Sequence, residues 1–245
     1  LHQQTIITVL PDSSHIQNVF RSILEPALSD RPAARLFIDC STIDPSVSRE
    51  VADAVYRTRQ GDFVDAPMSG GVVGAQAGTL TFMLGASSRT GQLVERVRPI
   101  LELMGSRVLH MGEQGMGLSG KLANNYLLAV SNIATAEAMN LGVRWGLDPA
   151  RLGELINGSS GRCWASQVNN PVAGVSPGAP AERDFEGGFA VGLMRKDLRL
   201  AVEAARKVNA RLELAGRASE VYDAVEAQDA GKDFSVVYKW LGRKM

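Results

Sequence analysis

The sequence is short of the residues that staple, metallate or strongly charge a protein. Cysteine occurs twice in 245 residues, at Cys40 and Cys163, far apart and without a Cys-x-x-Cys spacing. That argues against a disulfide framework or a thiolate zinc site and favours a reducing compartment. The three histidines (His2, His15 and His110) have no ligand spacing, so no metal site is expected. Neither sign of charge is in excess: 26 Lys and Arg face 26 Asp and Glu. A partner made of nucleic acid would need a basic surplus to neutralise its phosphates. No run of about 18 apolar residues exists, so no helix is expected to span a membrane. What is present, 45% hydrophobic and 21% charged residues, is the composition of a soluble globular chain rather than a disordered one. The length admits one large domain or two smaller ones.

The first part of the chain alternates strand and helix signals. Thr5–Leu10 is a β-branched apolar run ended by Pro11-Asp12. Asp12 or Ser13 can cap a helix through about Ala27, with Ile16, Val19, Phe20, Ile23 and Leu24 on one face. Leu36–Ile38 is a second strand, and Asp44-Pro45 opens a helix to about Arg59. Strands follow at Phe63–Asp65, Thr79–Leu84 and Arg107–Met111, with a helix from about Thr90 to Met104 before the last. This alternation predicts a largely parallel sheet covered by helices. From about Leu118 to Trp145 there is neither proline nor a strand signal, and the apolar spacing predicts one long helix. Helices are then predicted at about Pro149–Asn157, Leu193–Val208, Leu212–Gln228 and Phe234–Leu241, with a long loop over Asn169–Gly188. The fold class is α/β plus all-α.

Gly115-Met-Gly117-Leu-Ser-Gly120 matches the GxGxxG phosphate fingerprint but lacks its context. The helix it opens leads to more helix, not to a second parallel strand whose end could hold a ribose. The three glycines read better as a place where two domains meet closely. Two other segments carry candidate chemistry. Asp65-Ala-Pro-Met-Ser69-Gly70-Gly71 ends a strand in a loop whose N–H groups and hydroxyl could cradle an anion such as a carboxylate, although an ordinary glycine turn reads the same way. Lys121 and Asn125 lie at i and i+4 on the long helix, with Asn132 further along the same stripe. Asn is a poor helix-interior residue, so its repetition suggests a polar demand. A lysine here is a candidate general base if burial lowers its reference pKa of about 10.4 toward 7–8. Otherwise it is one more solvated lysine at a helix start.

The Asp65–Gly71 segment, Ala75-x-x-Gly78-Thr79-Leu80, Gly115-x-Gly117-x-x-x-Lys121-x-x-Asn124-Asn125 and Met194-x-Lys196-Asp197-Leu198 together resemble the β-hydroxyacid dehydrogenase family. Ser159–Trp164, Asn170-Pro171-Val172 and Gly187-Gly188-Phe189 point to its branch acting on 3-hydroxyisobutyrate. The resemblance implies part of a Rossmann-type domain over residues 1–113, then a long interdomain helix and an all-α substrate and oligomerisation domain over 114–245. It implies NAD-dependent oxidation of 3-hydroxyisobutyrate to methylmalonate semialdehyde, a step of valine breakdown. Ser69, Gly70 and Gly71 would hold the substrate carboxylate, Lys121 would take the hydroxyl proton, and Asn125 would orient substrate or lysine. Leu10, Pro11, His15, Thr42 and Lys196 would touch NAD, and Phe189 would wall the pocket beside the nicotinamide. His15 stands where close relatives often carry Asn.

NADP is the alternative cofactor, and an NADPH-dependent tartronate or succinic semialdehyde reductase is the alternative activity. In the family a strand, a glycine-rich turn and a helix precede the segment found at Thr5–Leu10. Together with a start at Leu1 rather than Met, this predicts that residues precede those given, including the pyrophosphate loop and any targeting peptide. A non-catalytic dehydrogenase-like scaffold is the reading from another class. The remaining expectations are a small 3-hydroxy acid as ligand and no nucleic-acid or membrane partner. A homodimer or homotetramer is expected, mitochondrial in a eukaryote and otherwise cytoplasmic.

Overall fold

The computed structural model describes residues 4–25, 35–87 and 92–243. They belong to two compact units, Leu1–Leu122 and Ala123–Met245. The division falls inside a long helix, later in the chain than the 113/114 boundary drawn from the sequence.

The first unit is built on a six-stranded sheet. Strands β1 (Thr5–Thr8), β2 (Arg35–Asp39) and β3 (Gly61–Asp65) run parallel, with Ile6 opposite Phe37 and Phe37 opposite Phe63. Helix α1 (Ser13–Leu24) precedes β2, and α2 (Pro45–Arg57) links β2 to β3. Asp12 caps α1 by accepting the Ser14 N–H, and Asp44 caps α2 by accepting that of Ser46, with Pro45 in the first helical position. The expected continuation of α1 to Ala27, and the expected helix start at Thr90, fall outside the described residues.

Beyond β3 the chain departs from a simple parallel plan. A two-residue strand, β4 (Met68–Ser69), continues the line of β3 and pairs antiparallel with β5 (Leu80–Gly85). A seven-residue helix, α3 (Gly71–Ala77), lies between them. Sequence reasoning read only a glycine loop here, because Gly-Val-Val-Gly is poor in helix propensity. Helix α4 (Leu93–Glu102) leads to β6 (Gly105–Gly112), which pairs parallel with β5.

Strand alternation divides the core between two faces of this sheet. Leu36, Ile38, Val64, Phe82 and Leu84 pack with Leu93, Val97 and Leu101 of α4. Phe37 and Phe63 turn the other way, onto Ile16 and Phe20 of α1 and Val51 and Val55 of α2. Phe20 meets both strand rings edge-on, at 5.3 and 5.2 Å between centroids. Leu118, at the start of the long helix α5 (Met116–Arg144), completes that cluster.

The second unit contains the rest of α5, α6 (Pro149–Gly158), α7 (Trp164–Gln167), α8 (Val191–Lys207), α9 (Ala215–Asp229) and α10 (Val237–Gly242). Short 3₁₀ turns occur at Pro180–Arg183, within the expected loop, and at Phe234–Val236. Among its described residues it has no strand beyond an isolated bridge between Ala190 and Asp233. Val191, Met194 and Leu198 of α8 meet Val221, Tyr222 and Val225 of α9 in one core with Ala129 and Ala136 of α5. The Asn132 side-chain amide is tied into this core. Its amide donates to the Tyr222 hydroxyl and the Phe234 carbonyl, each at 3.0 Å, and the Tyr222 hydroxyl in turn donates to the Ala129 carbonyl.

Gly117 marks the tightest approach of α5 to the sheet. A Cβ there would stand 2.1 Å from the Met83 carbonyl oxygen. Gly117→Ala is therefore expected to cost about 2–3 kcal/mol by overpacking. Gly120→Ala, which would meet only the end of the Met111 side chain, is expected to stay within about 1 kcal/mol of wild type. Urea unfolding of the two variants measures the contrast.

Candidate active site

In the first unit the candidate residues gather where strands end. Asp65 closes β3, and both its carboxylate oxygens are occupied by the start of α5. Gly115 N–H donates to Oδ1 at 2.6 Å and Leu118 N–H to Oδ2 at 2.8 Å. The literal GxGxxG therefore commits these two donors to a protein carboxylate instead of a phosphate. Burial pushes the Asp65 carboxyl up to about 7, against the pull of these two N–H groups. Gly85 lies so close that a Cβ would meet Asp65 Oδ1 at 2.3 Å.

Four residues past Asp65, Ser69 is half-buried at the end of β4, and Gly70 and Gly71 are exposed with φ of 135° and 61°. That backbone turns β4 directly into α3, so the Ser-Gly-Gly segment is a strand-to-helix junction. Further along α5, Lys121 is only 7% exposed. The picture of a solvated lysine does not hold.

At the C-terminal ends of β1 and β2 two turns are tied together. Leu10 N–H donates to Ser41 Oγ at 2.7 Å, and Asp44 N–H donates to Ser13 Oγ at 3.2 Å. Beneath them Asp39 accepts from Thr8 Oγ1 at 2.8 Å and Ser41 Oγ at 2.6 Å. Burial nevertheless raises the Asp39 carboxyl above its ordinary range. Leu10 and Thr42 are half-buried on this ledge, while Pro11 and His15 are exposed. The carboxyl edge of parallel strands is where open α/β sheets receive dinucleotides.

In the second unit Asn125 is buried, and its amide donates to Asp197 Oδ2 at 2.7 Å. Asp197 is itself buried, with Oδ1 3.2 Å from the Lys196 ammonium. Phe189 is half-buried and set edge-on to Phe234, at 6.1 Å. The structural roles of Asp65 and Asp197 escaped sequence reasoning. Both stand inside the motifs quoted above, but nothing in local spacing shows which distant donor a carboxylate will meet.

Two family models divide the chain between them. Residues 2–112 match the NAD binding domain of 6-phosphogluconate dehydrogenase. Residues 115–241 match a model described as NAD-binding of NADP-dependent 3-hydroxyisobutyrate dehydrogenase. The probable mitochondrial 3-hydroxyisobutyrate dehydrogenase of Dictyostelium discoideum is 44% identical over 239 residues, which is 97% of this chain and 73% of that protein. The mitochondrial enzyme of Mus musculus is 44% identical over 96% of this chain and 69% of its own length. A solved structure of the Mycobacterium tuberculosis 3-hydroxyisobutyrate dehydrogenase with L-serine superposes with a TM-score of 0.88 at 39% identity, covering 98% of this chain and 80% of that one. This chain belongs to the 3-hydroxyisobutyrate dehydrogenase family. It is accordingly a 3-hydroxyisobutyrate dehydrogenase-like oxidoreductase, and its cofactor class is NAD(P). The tied turns at the β1 and β2 ends fit that class, since they form an open ledge at the strand edge a dinucleotide uses.

The raised Asp65 carboxyl has a consequence for a dehydrogenase of this family. Its folded pKa of about 7 lies above the unfolded value, so its contribution to stability is full below about pH 4 and is lost as pH rises through 7. Asp65→Asn removes that titration. The stability of wild type relative to Asp65→Asn is expected to be greatest near pH 4 and to shrink toward pH 7, as read from urea midpoints across that range.

Proposed function

We propose that the chain oxidises 3-hydroxyisobutyrate to methylmalonate semialdehyde with NAD, in valine breakdown. The observation that carries this reading is the burial of Lys121 on α5, in the setting of the family motifs. A lysine withdrawn from bulk water on a rigid helix is held in a defined position, as a group that transfers a proton must be. NAD, when bound, accepts the hydride released from the substrate carbon. Leu10, Pro11, His15, Thr42 and Lys196 would hold it.

Ser69 with the Gly70 and Gly71 N–H groups binds the substrate carboxylate. The turn is built at a strand-to-helix junction, so it presents backbone donors with little to reorganise. Lys121 Nζ takes the proton of the substrate hydroxyl. Asn125 orients the substrate, and its amide is held by the bond to Asp197. Phe189 walls the pocket and limits water. The Mycobacterium tuberculosis relative with L-serine supports a ligand that carries a carboxylate and a 3-hydroxyl.

Residues 1–113 would then be the nucleotide-binding domain, and 114–245 the substrate and oligomerisation domain. A homodimer or homotetramer is supported by exposed apolar side chains at Leu127, Leu141 and Trp145 along and just after α5. The compartment would be mitochondrial in a eukaryote, as the names of the eukaryotic relatives say of those proteins, and cytoplasmic in a bacterium.

Lys121→Ala is expected to lower turnover at least about 100-fold. Calorimetric affinity for NAD should stay within about threefold, because the base does not hold the cofactor. A variant keeping more than about a tenth of wild-type turnover would overturn the assignment. Light scattering tests the assembly: a mass of two or four chains is expected, and a clean monomer contradicts it.

A further inference from the structure

The segment leading to Phe189 is held in an unusual backbone conformation. Asp184, Phe185, Gly187 and Gly188 all have positive φ, between 51° and 73°. For the two residues that are not glycine this backbone is strained, so surrounding contacts must enforce it. Pro180 and Lys232 hold Asp184 and Phe185 from one side, and from the other the segment is held by Asp233, which is 1% exposed. Its backbone N–H donates to the Phe185 carbonyl at 2.8 Å, and the next N–H, of Phe234, donates to the Phe189 carbonyl at 2.9 Å.

The two carboxylate oxygens of Asp233 do different things. Oδ1 accepts from Ser235 N–H, Ser235 Oγ and Asn169 Nδ2, at 2.9, 2.6 and 2.9 Å. Those bonds cap the 3₁₀ turn at Phe234–Val236 and tie in Asn169. Oδ2 accepts from the Phe189 N–H at 2.8 Å. A turn cap has no use for that second bond. Gly188 fits beside it only because it lacks a side chain, since a Cβ there would lie 2.2 Å from Oδ2. The Phe189 ring rests against Phe234, whose ring stacks on Trp164 at 6.4 Å with 11° between planes.

We propose that Asp233 is a positioning residue that fixes Phe189, and through it the wall of the substrate pocket, by a bond separate from its capping of the following turn. This rests on the reading of Phe189 as that wall. The arrangement assigns substrate fit partly to a carboxylate 44 residues further along the chain. Asp233→Asn keeps the shape but replaces one acceptor by a donor. Whichever way the amide is turned, either Phe189 or the Ser235 and Asn169 pair meets a donor instead of an acceptor.

The test uses the full chain with NAD and 3-hydroxyisobutyrate. Asp233→Asn is expected to raise KM for the hydroxy acid about tenfold with kcat changed less than about threefold. It should also speed hydrogen exchange at the Phe189 amide. Ser235→Ala, which removes only a capping bond, should lower Tm without moving KM. In a Phe189→Ala background, Asp233→Asn should add less than about twofold to KM, because the two act through one group.

An Asp233→Asn protein with lowered Tm but unchanged KM and an equally protected Phe189 amide overturns the proposal. So does a KM effect that persists undiminished in the Phe189→Ala background. If Phe189→Ala itself has wild-type KM, the pocket-wall reading fails, and with it the kinetic role of Asp233. The exchange measurement then still reports separately whether the anchor exists. Should Asp233→Asn fail to fold, Gly188→Ala presses on the same Oδ2 without touching Ser235. A wild-type KM in that variant counts against the proposal.

Discussion

Asp65 sits where a strand changes partners. Up to that residue β3 pairs with β2; from there its continuation pairs antiparallel with β5. The same side chain accepts two N–H groups from the first turn of α5. A buried carboxylate is costly unless donors surround it, and the positive end of a helix macrodipole adds to those donors. Ser69 lies four residues beyond Asp65 in one direction along the chain. Lys121 lies three residues beyond Leu118, whose N–H the carboxylate holds. The candidate carboxylate-binding turn and the candidate base are thus both referred to a single anchor. Gly85 and Gly117 are its geometric counterparts, since a side chain at either would invade the carboxylate.

Much of this was legible before any coordinates. Asp44-Pro45 announced a capped helix, the apolar spacing after Gly117 announced a long one, and the β-branched and apolar runs announced the strands around Leu36–Ile38 and Phe63–Asp65. Each of those signals is local. The antiparallel pairing of β4 with β5 was not legible, because two residues carry no periodicity. Helix α3 was hidden by glycines at its start, which sequence reasoning assigns to turns. In the candidate site, Lys121 and Asn125 could be placed on one face by counting residues. The clamp on Asn125 could not, because Asp197 is 72 residues away in the chain.

Three buried acids follow one pattern. Asp65 holds the start of a helix, Asp197 holds the amide of Asn125, and Asp233 holds the backbone of Phe189. In each case a carboxyl side chain outside the list of candidate ligands fixes a segment that contains one. A buried acceptor left without its donors is costly, so each of these contacts resists being broken. Placing them behind the site gives stiffness where the chemistry needs defined positions.

The amide of Asn132 has a mechanical meaning. Its two hydrogens are committed to Tyr222 of α9 and to the backbone at Phe234, while Tyr222 reaches back to Ala129 one turn earlier. Sliding α5 along its neighbours by one turn, about 5.4 Å, would strand all three bonds in an apolar core. The helix is therefore keyed like a shaft in a slot. Within this unit the rod is locked in register with α9 and with the backbone at Phe234.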